Sequence, residues 1–308
     1  MPSATSDPPP VVDPLDVDLT YETLVQRRNL FAAIAALLLI VIVVTGVLDV
    51  ATTVDDDRSF IAGASPRLIV RDGVGGGLRG GIEVRAGDRD RVRVEGKVHG
   101  TWRVRYVLDQ RGQDVVIEAH PRAFLGWLSL LGPARFTVTA PAETRLDIES
   151  RSAPIDVQRI AGGGSLRTTN GTIRLDGVKG HLSAATTNGA ITAAAFDGTA
   201  TLHTTNGAID VQASRGTFDV TTTNGAVMLD AELEPGARHR AEATNGCVTV
   251  RLRGAPNLRV DARTTNGAVV TSRPLTVRER TANALAGTIG SGEGELSVRT
   301  TNGKIAIE

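Results

Sequence analysis

Apolar and polar residues alternate along most of the chain between residues 65 and 308. In the stretch 201–216, Leu202 and Thr204 alternate with His203 and Thr205. Beyond a turn, Ile209 and Val211 flank Asp210 in the same way. The phase recurs in Leu166, Thr168, Ile173 and Leu175, and again in Val220, Thr222, Val227 and Leu229. A period of two predicts strands with one buried face. Each unit therefore predicts two short strands joined at a corner. The corner reads Thr-Thr-Asn-Gly, and Asn and Gly both tolerate a positive φ.

The corners are evenly spaced. Asn-Gly pairs begin at Asn170, Asn188, Asn206, Asn224, Asn245, Asn266 and Asn302, so the steps are 18, 18, 18, 21, 21 and 36 residues. Stepping back 18 from Asn170 reaches Ser152, in a segment with the same apolar pattern and a degraded turn. A fixed period of this length indicates a stacked array. The 21-residue steps fit loop insertions such as 233–238, and the 36-residue step predicts a degenerate copy around Asn283–Ile289.

Two architectures accommodate these strands. Asn-Gly between alternating segments is a strong hairpin signal and would give an antiparallel meander. A β-solenoid instead makes each 18-residue unit one coil, stacked in register on the next. Near-identity of the tetrapeptide favours the solenoid, because stacked coils place like residues above one another about 4.8 Å apart, forming Thr and Asn ladders. The fold class expected is all-β, a β-solenoid of roughly 18-residue rungs.

One segment breaks the β pattern. Leu30–Leu48 is a run of 19 residues without charge, about 28 Å as a helix and close to the roughly 30 Å hydrocarbon core. Arg27 and Arg28 precede it and an acidic stretch follows. The basic flank places the N-terminus in the cytoplasm and the rest outside. A cleaved secretory signal is the competing reading. The preceding segment is long and mostly acidic, however, and no clear small-x-small cleavage site follows the apolar run. The organisation expected is a disordered cytoplasmic tail at 1–28, a transmembrane helix at 29–49, a linker at 50–64 and an extracytoplasmic solenoid at 65–308. A short helix within 19–28 would lead into the membrane.

Composition agrees with a plain β protein: 41% hydrophobic residues, 3% aromatic and 34 glycines in 308 residues. The formal net charge is zero, so no global field draws the chain to nucleic acid. The single cysteine, Cys247, excludes an intramolecular disulfide and stands where other repeats carry Ala190, Ala208, Ala226 and Ala268. It reads as a small repeat residue.

The segment 134–157 running into repeated Thr-Thr-Asn-Gly-x-Ile, preceded by 80–98, resembles the bacterial putative-adhesin family over about residues 65–308. The resemblance implies a β-solenoid envelope domain, a role in adhesion or envelope-stress signalling, and no catalytic residues. The rung near Asn283 departs from the pattern.

Candidate chemistry is sparse. Gly75–Gly80 matches G-x-G-x-x-G, but a strand-like segment follows where a dinucleotide site needs a helix. Asp156 and Asp210 face outward at one rung position but lie three rungs apart, roughly 14 Å, wider than the ~5–9.5 Å of a glycosidase pair. Asp176, Asp197 and Asp230 fall at turns or edges, and His99, His120, His181, His203 and His239 share no metal-ligand spacing. An outward column of Thr169, Thr187, Thr205, Thr223, Thr244, Thr265 and Thr301 suggests ice binding. Its neighbouring column, which includes Arg167, His203 and Glu242, is too charged for that. No catalytic residue, cofactor or metal is expected.

Two interaction sites are expected. Phe124, Leu125, Trp127, Leu128, Leu130 and Leu131 form an apolar stretch without alternation, read either as a cap on the solenoid core or as a patch for membrane or partner contact. The final repeat ends at Glu308, so Leu296, Val298, Ile305 and Ile307 would lie at an open rung and form an assembly edge for another copy. The function expected is a single-pass, outward-facing, adhesin-like binding or scaffold module of the bacterial cell envelope. Its partners would be the lipid bilayer, an envelope protein or polysaccharide, and a second copy. The alternatives are envelope-stress sensing or signalling, and a carbohydrate-active solenoid enzyme.

Overall fold

The structure, a computed structural model, describes residues 14–63, 65–72, 80–98, 104–121 and 134–308. The chain divides into two units, residues 1–51 and 52–308. The first holds a helix, α1 (Pro14–Ala51). It begins well before the expected 29–49 segment and takes in part of the stretch read as a disordered tail. Within it, Val25–Val44 is a 20-residue apolar window with no part buried inside the structure, about 30 Å long. It is one candidate transmembrane helix.

The second unit is a β-solenoid. Its first strand, β1 (Val54–Ile61), follows α1 after only Thr52 and Thr53, so most of the expected 50–64 linker is part of the domain. Next come β2 (Arg67–Asp72), β3 (Gly81–Ala86), β4 (Arg91–Val98), β5 (Val104–Arg111), β6 (Asp114–Pro121) and β7 (Ala134–Ala140). The central repeats supply β8 (Arg145–Ser150), β9 (Ile155–Gln158), β10 (Gly164–Thr168), β11 (Ile173–Asp176), β12 (Lys179–Thr186) and β13 (Ile191–Ala194). They continue with β14 (Asp197–Thr204), β15 (Ile209–Asn224), β16 (Val227–Leu233), β17 (Arg238–Asn245) and β18 (Val248–Leu252). The last are β19 (Leu258–Asn266), β20 (Val269–Thr271), β21 (Thr276–Arg280), β22 (Ala284–Ile289), β23 (Gly294–Asn302) and β24 (Ile305–Ile307).

Parallel pairing in register confirms the stack. Ile173 pairs with Ile155 on one side and Ile191 on the other, and Ile191 pairs with Ile209. The predicted phase holds: Ile173, Leu175, Leu202, Ile209 and Val211 are buried while Arg174, His203 and Asp176 are exposed. Each apolar side chain is covered by its equivalents above and below, so no rung could bury its face alone.

The stacking order departs from chain order at both ends. The rung β2/β3 lies between β6/β7 and β8/β9. At the other end β23 pairs in parallel with both β17 and β19, and β24 with both β18 and β20. Leu296, Val298, Ile305 and Ile307, expected at an open edge, are therefore interior and fully buried. The sequence could not show this, because the final repeat carries the same corner and the same apolar phase as its neighbours.

Antiparallel strands cover the two ends. On the N-terminal side β4 pairs with β7, β1 with β4 and β5 with β6. On the C-terminal side β22 pairs with β19 and β21 with β22. The segment Asn283–Ile289, expected as a degenerate rung, is thus mostly the antiparallel cap strand β22. Phe136, Val94 and Leu108 close the core at the first end, with Tyr106 edge-on to Phe136 at 6.1 Å between ring centroids. Leu285 closes the other.

Candidate interaction surface

The corner that carries the repeat is built from three stacked columns. The first Thr of the tetrapeptide points inward, and its hydroxyl donates to a carbonyl of the adjoining rung, that of Gly where the rung carries one and of Ala153 for Thr168. Thr186 reaches Gly171, Thr204 reaches Gly189 and Thr222 reaches Gly207, each at 2.9 Å. These bonds satisfy hydroxyls that burial would otherwise leave costly, at about 1 kcal/mol each. The second column is an amide ladder on the exterior. Asn188 donates to Asn170 at 2.7 Å, and Asn206, Asn224 and Asn245 continue it, each donating at 2.8 Å to the Asn before it.

Glycine fills the third column for a steric reason. A Cβ on Gly207 would lie 2.0 Å from the carbonyl oxygen of Gly189, where no carbon can sit. The left-handed backbone expected at Asn-Gly is found at the opposite corner instead. Arg159, Ala195 and Ala213 have φ of 57°, 50° and 48°, and Gly177 has 61°. Those four positions are spaced by 18 residues, but only one of them is glycine, so the usual turn signature was missing from the sequence. Beside Ala213 the register shifts between Val211 and Ser214. The buried Ser214 hydroxyl accepts the Phe196 amide at 3.1 Å and donates to the Gln212 carbonyl at 2.9 Å.

Outside the corner the surface is dominated by arginine–carboxylate pairs. Asp147 accepts from Arg67 at 2.6 Å and lies 2.8 Å from Arg71, while Asp230 accepts from Arg253 at 2.8 Å. Arg71 and Arg253 respectively are the main cause that holds these carboxyls below their usual range. Asp57 is lowered likewise by Arg93. A general acid needs the opposite shift. Asp156 and Asp210 share one outward column with Arg174 and Thr192 between them, as the spacing predicted. No group of three or more His, Cys, Asp or Glu that could hold a metal occurs among the described residues.

At the C-terminal cap a groove of about 490 Å³ runs over the small residues Ala286, Gly287 and Thr288. Arg238, Arg259 and Arg263 are among its lining, facing Asp261, Glu293 and Glu295. Arg263 is held by Asp261 at 2.9 Å and Glu279 at 3.3 Å, and Arg259 donates to the Gly292 carbonyl at 3.0 Å. The charges largely cancel, and among the described residues no aromatic ring lines the groove. Its lining is polar.

His239 is a buried histidine that the spacing did not single out. It is 2% exposed, and its Nε2 lies 3.0 Å from the Glu234 carbonyl, so Nε2–H donates. Its Nδ1 is buried without a partner among the described residues. Burial pushes its pKa down. Phe124, Leu125, Trp127, Leu128, Leu130 and Leu131 lie outside the described residues, as do positions 75–79 of the glycine-rich stretch. Cys247 is free and exposed.

With this geometry in hand, the chain is assigned to a class by its sequence: the family described as Toastrack DUF4097 matches residues 80–308, and the chain belongs to it. Three solved structures are distantly similar to the chain. A putative cell adhesion protein from Clostridium sporogenes is 12% identical, covering 82% of this chain and 99% of its own, with a TM-score of 0.27. A putative adhesin from Bacteroides fragilis is 11% identical, covering 83% and 97%, with a TM-score of 0.44. A putative lipid binding protein from Parabacteroides distasonis is 12% identical, covering 82% and 96%, with a TM-score of 0.39. No curated protein matches the chain.

Proposed function

We propose that this chain is a single-pass, membrane-anchored binding or scaffold module of the bacterial envelope, its N-terminus cytoplasmic and its solenoid outside. The observation that carries this reading is the direct join of an apolar helix to a capped solenoid. The 20-residue window Val25–Val44 has no part buried within the structure, and Arg27 and Arg28 near its start favour the cytoplasmic side. Two residues after α1 the first cap strand, β1, begins. The solenoid offers exposed ladders and a polar groove, while several of its carboxylates, Asp57, Asp147 and Asp230 among them, are paired with arginines. Such a surface suits binding of an envelope protein or polysaccharide better than catalysis. Protease added to spheroplasts expressing an N-terminally tagged chain should digest the solenoid and spare the tag. Protection of the solenoid would overturn the topology.

A second reading, envelope sensing with an inward report, draws support from the continuity of α1. The helix runs unbroken from Pro14 to Ala51, so its cytoplasmic part is rigidly joined to the span. Deleting residues 1–28 tests it: a response abolished while the solenoid is still displayed would favour signalling.

A further inference from the structure

The C-terminal repeat occupies a slot one rung wide between two rungs that are consecutive in the chain. Only the segment 253–257 joins β18 to β19, yet the rungs on either side stand two strand spacings apart, about 9.6 Å. The slot is chemically selective. Asn245 offers its Oδ1 to the Asn302 amide at 2.8 Å, and Asn266 donates to the Asn302 Oδ1 at 2.7 Å. The Gly246 carbonyl accepts the Thr300 hydroxyl at 2.9 Å, and the Gly303 carbonyl accepts that of Thr264 at 2.9 Å. Position 303 must be glycine, because a Cβ there would lie 2.1 Å from the Gly246 oxygen. Apolar residues are needed where Leu296, Val298, Ile305 and Ile307 are fully buried.

The occupant is connected by a crossover. Strands β22 and β23 flank β19 on opposite sides, so residues 290–293 must pass over the start of β19. Gly290 and Gly292 have φ of 63° and 71°. Arg259 and Asn257 fasten the crossover through the Gly292 carbonyl and the Ser291 amide. Apart from this crossover, the strand pairings that hold the repeat are made to the slot walls, β17–β20, and none requires the repeat to belong to the same chain. The repeats at Asn170, Asn188, Asn206 and Asn224, by contrast, stack between neighbours adjacent in the chain.

From this we infer that the slot between β17/β18 and β19/β20 accepts the C-terminal repeat of a second copy, giving a reciprocally exchanged dimer. In that dimer the Asn ladder, the Thr–Gly bonds and the buried apolar column are all preserved, and only the path of residues 290–293 changes. Exchange of an identical element is a low-cost route to a dimer. Anchoring copies in one membrane would raise the concentration of slots around each repeat.

Cys247 supplies the test. Val248 pairs with Ile305, which sets Cys247 beside Lys304, and both are exposed. Two differently tagged full-length chains are co-expressed: one carries Cys247→Ser and Lys304→Cys, the other is unchanged. Neither can form an internal disulfide. After mild oxidation on intact cells, a disulfide joining the two tags can form efficiently only if the first chain's repeat sits in the second chain's slot. The collision background is set by Arg167→Cys with Cys247→Ser, an exposed thiol far from Cys247 in the stack. The exchange predicts a mixed product several-fold above that background. A mixed product at or below the background would overturn it.

Discussion

Asn302 donates its side-chain amide to Asn245, 57 residues earlier, at 2.8 Å, and its own carbonyl accepts from Asn266 at 2.7 Å. The exterior ladder therefore runs 170, 188, 206, 224, 245, 302, 266 and leaves chain order at its last two steps. The final repeat closes the stack from within, and the antiparallel pair β21–β22 takes the exposed end in its place.

The buried phase sets the first expectation. Ile209 is buried between Ile191 and Val227, while Asp210 faces out. Ile209→Ala should cost about 2 to 5 kcal/mol in urea unfolding, and Asp210→Ala no more than about 0.5 kcal/mol. Thr204→Val should fall between them, at about 1 to 2 kcal/mol, because it strips the Gly189 carbonyl of its hydroxyl donor. Equal costs for Ile209→Ala and Asp210→Ala would mean the phase is wrong.

The two corners should respond in opposite directions to small changes. Gly207→Ala forces a carbon against the Gly189 oxygen and should cost about 3 kcal/mol or more. Ala213→Gly relieves a left-handed alanine at φ 48°. It should stabilise by a few tenths to about 1 kcal/mol, the relief exceeding the added chain entropy of the unfolded state. Thermal unfolding of the two variants reads both signs, and a stabilising Gly207→Ala would refute the close-stacking argument.

These contrasts show what was legible in the sequence. Ile209 and Thr204 announced their burial because period-two alternation maps directly onto one face of a strand. Stacking order was not legible, because Asn245, Asn266 and Asn302 present the same ladder chemistry and any of them matches any other. The caps were hidden for a related reason. In β4, Val92, Val94 and Val98 alternate with charged residues as a rung would, and nothing local distinguishes antiparallel from parallel partners. The left-handed corner at Ala195 and Ala213 carried no glycine to mark it. His203 and His239 looked alike in spacing, yet one is exposed and the other is core.

His239 makes stability depend on pH. Burial lowers its folded pKa, so in a window below the unfolded value of about 6.5 the unfolded chain binds more protons than the folded one. Stability contributed by the neutral ring is complete above that value and is lost as pH falls towards the folded pKa. The pairing of Asp147 with Arg71 and Arg67 is lost only below about pH 4, so the two effects separate. Urea midpoints should drop between about pH 7 and 5, and His239→Leu should flatten that slope whatever its effect at pH 8. An unchanged slope in the variant would assign the dependence elsewhere.

Interior and edge can be told apart by truncation at the C-terminal end. Leu296 lies between two rungs and is fully buried, whereas Val277 on the cap strand β21 is 47% exposed. Leu296→Ala should cost about 2 to 5 kcal/mol, and Val277→Ala no more than about 0.5 kcal/mol. A comparable cost for both, measured by urea unfolding, would contradict the placement of the final repeat.

The stacking order itself can be read with one covalent probe. Cys247 neighbours Lys304 in the stack, while Ala268, the equivalent position in the next repeat along the chain, stands a further rung away. Adjacent in-register positions fall within the Cα separation a disulfide spans, and positions two rungs apart, about 9.6 Å, do not. Lys304→Cys and Ala268→Cys are made separately in the chain that keeps Cys247, oxidised, and mapped by peptide mass spectrometry. The order found here predicts a disulfide from Cys247 to the thiol of the Lys304→Cys variant and none in the Ala268→Cys variant. A bridge to position 268 with none to 304 would mean that the repeats stack in chain order, and would contradict the account.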